Sequence, residues 1–453
     1  MKPIYKQTYD VAVIGGGVSG CAAAVAAAGA GATTIVVEQS GYLGGTLTNC
    51  GVGPMMTFHA GERQVVQGFM GMLVERLKSS GNSPGHVPDT KQYTPTITPF
   101  NAEALKLLLD QALEEAGAQV LLHTFLGGAE VGGDRIKGAL VCNKDGLNTI
   151  SAKIFVDATG DGDLAFWAGA PMDKGRPEDG ECQPMSLMMK YCNVDTGVLK
   201  KYILEHPQEF PHLEGKEELI SQDIPMDVEG FQKEMAEAKA LGLMSIAREN
   251  ILMFATDRQG EYILNTTRII GHDPADAESL SDAERVGRRQ CAELDRLVRS
   301  RIPGFENAIL EFTGPSVGAR SSRQLRGIQT LAASDILDEK RDNAIAYSGY
   351  PIDIHNPKGE GTMTAFLQKK GGWYGIPFHI MTCLEFANLL VTGRCASATF
   401  EAQAAMRVTP TAGAMGQAAG IGAALAASGE VDVRKLDPNA VRVLLKAQGA
   451  YIE

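Results

Sequence analysis

The stretch YDVAVIGGGVSGCAAAVAAAGAGATTIVVEQ, residues 9–39, does most to limit what this chain can become. A short apolar strand runs into a glycine turn, then an alanine-rich helix, then a second apolar strand. Gly15, Gly17 and Gly20 have the G-x-G-x-x-G spacing of a dinucleotide-binding turn. Gly15 permits the tight turn, Gly17 lets backbone approach a pyrophosphate, and Gly20 lets the helix lie close to the strand. The pyrophosphate is expected on free N–H groups at the helix start, around Val18 and Ser19, where the helix dipole favours negative charge. Glu38 closes the second strand, placed to accept from both ribose hydroxyls, and an acid there disfavours a 2′-phosphate. The apolar run 11–37 has the length of a membrane span, but its glycines break it into strand, turn and helix, so it reads as buried core.

The residues after Glu38, EQSGYLGGTLTN, supply a second close-approach loop at Gly44, Gly45 and Thr46. Residues 63–80 have helical apolar spacing, and 81–99 form a loop rich in Pro, Gly, Asn and Thr. FNAEALKLLLDQALEEAG reads as a helix with Asn101 as N-cap and Gly117 as stop. AQVLLHTFL reads as a strand, and GGAEV and IKGALVCN as a hairpin joined through Asp134–Arg135. AKIFVDATGDGDLAFWAGA is a buried strand entering a turn at Thr159, Gly160 and Asp161. Further on, MSLMMKYCNVD and EYILNTTRI are strand-like, and SDAERVGRRQCAELDRLVRSRIPGF is an amphipathic helix with a capping box from Ser281 to Glu284. The glycine-arginine style of the first part returns in GPSVGARSSRQLRG. The closing stretch, 391–427, is nearly all small residues; Thr409 and Pro410 read as N-cap and first residue of a last helix.

At 453 residues the chain is expected to hold two domains. A net charge of -12 and no basic run argue against a nucleic-acid partner. The eight cysteines lie at 21, 50, 142, 182, 192, 291, 383 and 395, with no CxxC and no metal-ligand spacing, so reduced thiols in the cytoplasm and no metal site are expected. MKPIYKQTYD has no apolar stretch before a cleavage site and does not read as a signal peptide.

These separated motifs (GxGxxG…E…GGT, ATGDGD, VGARSSRQLRG, IDIHNP, GIPFHI and NLLVTGRCASATFEAQAAMRVTPTAGAMGQAAG) together resemble the FAD-dependent oxidoreductases of the glutathione-reductase-like fold, akin to the fumarate reductase and thiazole synthase group. The resemblance implies an α/β fold: a Rossmann-like FAD-binding domain with a parallel sheet and β-meander, and a second α+β substrate domain. The expected boundaries are 1–60, 100–184 and 313–453 for the FAD-binding domain, and 61–99 with 185–312 for a substrate-covering domain. It also implies cofactor contacts from Gly44, Gly45, Thr46, Thr159, Gly160, Asp161, Gly393, Arg394, Thr409 and Thr411. Relatives of this branch often carry a histidine where this chain has Phe400, which leaves proton transfer to another residue.

For the chemistry, hydride exchange at flavin N5 is the expectation, with the protein binding substrate and moving a proton. The last helix is expected to aim its N-terminus at the N1/O2 edge of the flavin, with Gly413, Gly416 and Gly420 packing beneath the ring. His355, His59, His379 and Tyr374 are the proton-transfer candidates, with His355 and His59 first. Arg407, Arg320 and Arg323 can grip a substrate carboxylate or phosphate, or can pair with nearby acids. Cys50 follows the GGT loop, as a packing residue or a flavin neighbour. There is no second dinucleotide fingerprint and no disulfide motif, so electrons are expected to pass through a diffusing donor or acceptor, oxygen or the substrate itself. The main expectation is a dehydrogenase or reductase acting on a small polar molecule. Alternatives are a flavin-dependent isomerase or lyase without net redox change, a flavoprotein subunit of an electron-transfer complex, and a hydroxylase. No membrane partner is expected, and assembly into a homo-oligomer is left open.

Overall fold

The structure is a computed structural model that describes residues 8–91 and 93–453. The opening MKPIYKQ, part of the stretch read above as no signal peptide, lies outside the described residues.

Five parallel strands form the central sheet, in the order Leu389–Val391, Ala152–Asp157, Tyr9–Ile14, Thr34–Val37, Gln119–Leu121. Alternation along each strand sends side chains to two different cores. Val11, Val13 and Val36 join the core that contains the helix Val18–Gly29. Ala12, Ile14, Ile35 and Val37 instead meet Ile136, Ala139 and Val141 of a three-stranded antiparallel meander. Apolar residues on both faces are what a sheet covered on both sides requires. The meander comprises Phe125–Gly132, Arg135–Asn143 and Gly146–Ile150, one strand more than the expected hairpin. Asn101 caps the helix Ala102–Ala116 by accepting from the N–H groups of Glu103 and Ala104, and Gly117 ends it in the left-handed region at φ 76°.

The helix Thr409–Gly429, expected to be the last but followed by Pro438–Ala447, lies directly on Val18–Gly29. A Cβ on Gly416 would stand 2.0 Å from the Ser19 carbonyl oxygen, and one on Gly420 would stand 2.0 Å from that of Ala23. Gly413 faces Met70. These three glycines therefore serve packing between segments of protein, correcting the expectation that they lie beneath a flavin ring. The helix also begins one residue earlier than expected: Val408 is the N-cap, and Thr409 and Pro410 occupy the first two helical positions.

A second core spans Met185 to Val317. Its antiparallel sheet runs Asp227–Gly230, Ile251–Ala255, Tyr262–Leu264, Met189–Cys192, Ile309–Thr313, backed by the long helix Ala277–Arg301. That helix starts a turn before the expected capping box. Asp276 caps it by accepting from Ser279 N–H, and the Ser281 hydroxyl donates to the Ala277 carbonyl inside the first turn.

Residues 61–99, expected to belong with the covering domain, divide between the two cores. The helix Gly68–Ser79 buries Phe69, Met70, Leu73, Val74 and Leu77 in the first core. Thr90 exchanges hydrogen bonds with Asp227, and Lys91 forms an ion pair with Glu229 at 2.6 Å, which ties the following loop to the second sheet. Among the described residues no helix is long and apolar enough to cross a membrane.

Candidate functional site

The carboxyl ends of the parallel strands open on a cavity of about 750 Å³ that reaches across to the second core. In open parallel sheets ligands bind at this edge, because strand-to-helix turns and helix N-termini gather there.

The first wall is the glycine turn. Gly15 sits at φ 104°, where a Cβ would meet the Ala158 carbonyl oxygen at 2.4 Å. Gly20 allows the helix to close on the turn, since a Cβ there would lie 1.9 Å from Gly15 O. Gly17, by contrast, has no heavy atom nearer than 3.8 Å to the Cβ it lacks, so its open side faces the cavity. The Gly44 N–H donates to Gly16 O and fixes the Gly44–Gly45–Thr46 loop against the turn. Glu38 is buried and lines the cavity; its carboxylate accepts from the N–H of Gly16 at 2.6 Å and of Ser40 at 2.7 Å. Those two bonds orient the carboxylate and leave its other lone pairs for a ligand hydroxyl.

The second wall comes from the ATGDGD turn and Gly393–Arg394. Asp157 is buried and accepts from Thr159 N–H, the Thr159 hydroxyl and Ala165 N–H. Burial pushes its carboxyl up to about 6 despite those bonds. Arg394 reaches over Gly160 and pairs with Asp161 at 2.8 Å, and among the described residues its Nε has no hydrogen-bond partner.

Two helices start at this cavity without side-chain caps. Gly17 precedes Val18–Gly29 and Val408 precedes Thr409–Gly429; neither supplies a side-chain acceptor, and neither helix has an acid in its first turn. The helices Ala102–Ala116, Ala277–Arg301 and Pro438–Ala447 are all capped by Asn or Asp. Uncapped N-termini carry unsatisfied N–H groups and the positive end of the dipole, so this pair suits an anionic dinucleotide at one end and a carbonyl-rich ring at the other.

The third wall is polar and carries the strand Ile352–His355. Strand alternation points Asp353 and His355 the same way, opposite to the buried Ile352 and Ile354. The Asp353 carboxylate accepts from the Tyr350 hydroxyl at 3.1 Å and from Arg407 Nη2 at 3.2 Å, with His355 Nε2 at 3.5 Å. Burial opposes its charge, but a hydrogen bond from His355 and the charges of Arg407 and Arg320 hold the carboxyl below the usual range. Burial pushes His355 down to about 3; Asp353 opposes this, while Arg320 and Arg407 add to it, so the imidazole is neutral at physiological pH. Its Nδ1 lies 3.1 Å from the Thr362 hydroxyl.

Of the residues expected from sequence, Gly15, Gly17, Val18, Ser19, Glu38, Gly45, Thr46, Thr159, Gly160, Asp161, Gly393, Arg394, Thr409, His355 and Arg407 share this cavity. Gly20 and Gly44 stand behind it in packing positions. Thr411 is buried and donates to Ser348 Oγ instead. His59 is turned away, near the Thr96 hydroxyl and edge-on to the His86 ring. His379 sits near the Thr382 hydroxyl, and Tyr374 is wholly buried beside Ser348, so none of these three lines the cavity. Phe400 is buried in the first core. Arg323 reaches the cavity but pairs with Asp163 at 2.7 Å and lies over the Phe166 ring. Cys50 lines the cavity with its thiol 3.4 Å from Val317 O, and burial pushes that thiol up. Sequence reasoning missed Asp353, although the period-two pattern of IDIH placed it beside His355. It also missed the partly exposed Phe125 and Trp167 at the rim, for which the sequence carried no signal.

No curated protein matches the chain. Among solved structures it is similar to the flavin-dependent brominase Bmp2, with TM-score 0.52, 12% identity, and 96% of this chain and 83% of that one covered. It is also similar to a geranylgeranyl bacteriochlorophyll reductase-like protein from Thermoplasma acidophilum, with TM-score 0.48, 12% identity, and coverage of 98% and 92%. A third is p-nitrophenol 4-monooxygenase PnpA from Pseudomonas putida DLL-E4, with TM-score 0.46, 11% identity, and coverage of 96% and 82%. The family model described as FAD dependent oxidoreductase matches residues 10–445, from the first strand to the last helix. With that match over nearly its whole length, the chain belongs to the FAD-dependent oxidoreductase family: it is an enzyme, and its cofactor is FAD.

Proposed function

We propose that this enzyme is a dehydrogenase or reductase that moves a hydride between flavin N5 and a carbon of a small polar organic molecule. The reading is carried by one observation: the glycine turn suited to a dinucleotide and the polar group Asp353, His355, Arg320 and Arg407 share a single cavity. Bound FAD supplies the two-electron acceptor or donor, and the chain does the rest. The turn Gly15–Gly20 and Glu38 hold the nucleotide, and Arg394 closes the pyrophosphate side. Thr409 and the helix it begins stabilise charge at the ring edge. Arg407 orients the substrate, and neutral His355 takes the proton released when the hydride leaves the substrate carbon.

Electrons enter or leave through a diffusing partner, oxygen or the substrate itself, since the chain carries one dinucleotide fingerprint. We place the enzyme in the cytoplasm on the strength of its scattered free thiols. The test is anaerobic mixing of the flavin-loaded protein with a panel of metabolites while the flavin absorbance is followed. Bleaching by a single compound, with one oxidised product per reduced flavin, supports the reading. Product formed without net flavin reduction would replace it with an isomerase or lyase.

A further inference from the structure

Two guanidinium groups face the third wall of the cavity and two more stand behind them. Arg320 and Arg407 line the wall, with Arg248 and Arg268 buried behind it, and Arg248 and Arg320 both donate to Asn265. The acids around them are Glu229, Glu249, Glu360 and Asp353, and Glu360 is already paired with Lys239. Glu229 is shared between Lys91 at 2.6 Å and Arg248 at 3.6 Å, and Asp353 is the partner of Arg407. Among the described residues Arg320 pairs with no carboxylate: Nη1 donates to Pro184 O at 2.6 Å and to Ser186 Oγ at 2.9 Å, and Nη2 to Asn265 Oδ1 at 3.4 Å. Arg268 donates to the Gly361 carbonyl, also a neutral acceptor. The Nε atoms of Arg407 and Arg268 are buried without a hydrogen-bond partner among the described residues.

A buried guanidinium without a counter-ion is costly, and the cost is removed when an anion arrives. The charge is not set for the cofactor phosphates, whose candidate cradle, the Gly15–Gly20 turn and Arg394, lies on other walls. Asp353 and His355 confine the ligand to one whose anionic group meets guanidinium edges while another part of the molecule stays beside a neutral imidazole. A planar carboxylate matches a guanidinium edge with two parallel hydrogen bonds.

We infer that the substrate is an organic carboxylate, its carboxylate bound at the cavity wall by Arg320 and Arg407 with Arg248 and Arg268 adding field from behind. This rests on the oxidoreductase reading only for the word substrate; the anion site stands on the arginines.

The experiment titrates the flavin-loaded protein with acetate, malonate, acetamide, chloride and inorganic phosphate, following both the visible flavin spectrum and the heat of binding. A saturable spectral shift and binding heat are expected with acetate or malonate and not with acetamide. Arg320→Met is expected to weaken malonate binding by roughly tenfold or more, the loss of a charged hydrogen-bonded partner, with flavin content unchanged. Arg407→Lys, which keeps the charge but not the fork, is expected to weaken it by less. Should Arg320→Met fail to fold, chloride competition against malonate in the wild type carries the test. Flavin-loaded protein that binds no carboxylate, that binds acetamide equally well, or that prefers phosphate to malonate overturns the proposal. Protein isolated without flavin that still binds malonate calorimetrically supports the anion site while removing the flavin reading.

Discussion

Gly416 lies so close to Ser19 that any Cβ on it would stand 2.0 Å from the Ser19 carbonyl oxygen. The helix Thr409–Gly429 is thus clamped on the helix that begins at the glycine turn, and the packing is transmitted to Ser19, which lines the cavity. Gly416→Ala should force the helices apart and destabilise the protein by about 1–3 kcal/mol, the usual range for overpacking. Thermal unfolding checks this, and flavin content should fall together with the melting temperature.

Gly17 gives the opposite case. Its φ is -66°, which alanine accepts, and the nearest atom to an added Cβ is 3.8 Å away. Gly17→Ala should therefore melt like the wild type when both are stripped of flavin. It should bind FAD more weakly by roughly tenfold or more, because the methyl group stands where the pyrophosphate must approach backbone. Equal affinity in a fluorescence titration would show that the pyrophosphate does not lie on Gly17.

Glu38 has two duties, and its variants should separate them. Glu38→Ala leaves the N–H groups of Gly16 and Ser40 without their acceptor and should cost about 1–3 kcal/mol of stability even without cofactor. Glu38→Gln retains one acceptor oxygen and should lose less stability than Glu38→Ala, while still binding FAD more weakly than the wild type. Denaturant melts of the flavin-free proteins and equilibrium dialysis with FAD supply the two measurements.

Acid should destabilise this protein through its buried histidines, an effect that Asp157, raised to about 6 by burial, opposes in part as it takes up its proton. Burial lowers His355 to about 3, and burial together with His59 and Lys78 lowers His86 to about 4, both from 6.5. A histidine depressed in the folded state binds its proton more readily when unfolded, so its contribution is present above pH 6.5 and is lost as pH falls toward the folded value. Stability should decline from pH 6.5 to 4, and His86→Gln should flatten that slope in melts recorded across the range. An unchanged slope would remove His86 from the account.

The nucleotide half was legible because local rules dictate it. Strand, glycine turn, helix and acid occupy fixed offsets; Gly15 and Gly20 answer steric demands that show as a forbidden Cβ, and Gly17 leaves open space toward the cavity. The polar wall was legible only in part. Arg407, His355 and Arg320 were noticed as residue types, but Asp353 became part of the group only when the fold brought residues about 350, 320 and 407 together. His59, His379 and Tyr374 were equally good by type. What removed them was the full burial of Tyr374 and the seating of the two histidines beside Thr96 and Thr382, away from the cavity, which no spacing predicts. The glycines of the last helix were read as ligand contacts because close approach leaves the same mark whether the approaching group is a cofactor or another helix.

The second core is built from one uninterrupted stretch, Met185 to Val317, whereas the first is assembled from both ends of the chain. A continuous segment can be inserted, lost or exchanged in a single genetic event without unravelling the sheet that holds the nucleotide. Such an exchange would replace the side of the cavity that carries Ser186, Met188, Phe254 and Asn265 and would leave Arg320, Asp353, His355 and Arg407 in place. An engineer could make the same exchange, provided that Thr90 and Lys91 still find partners at the seam.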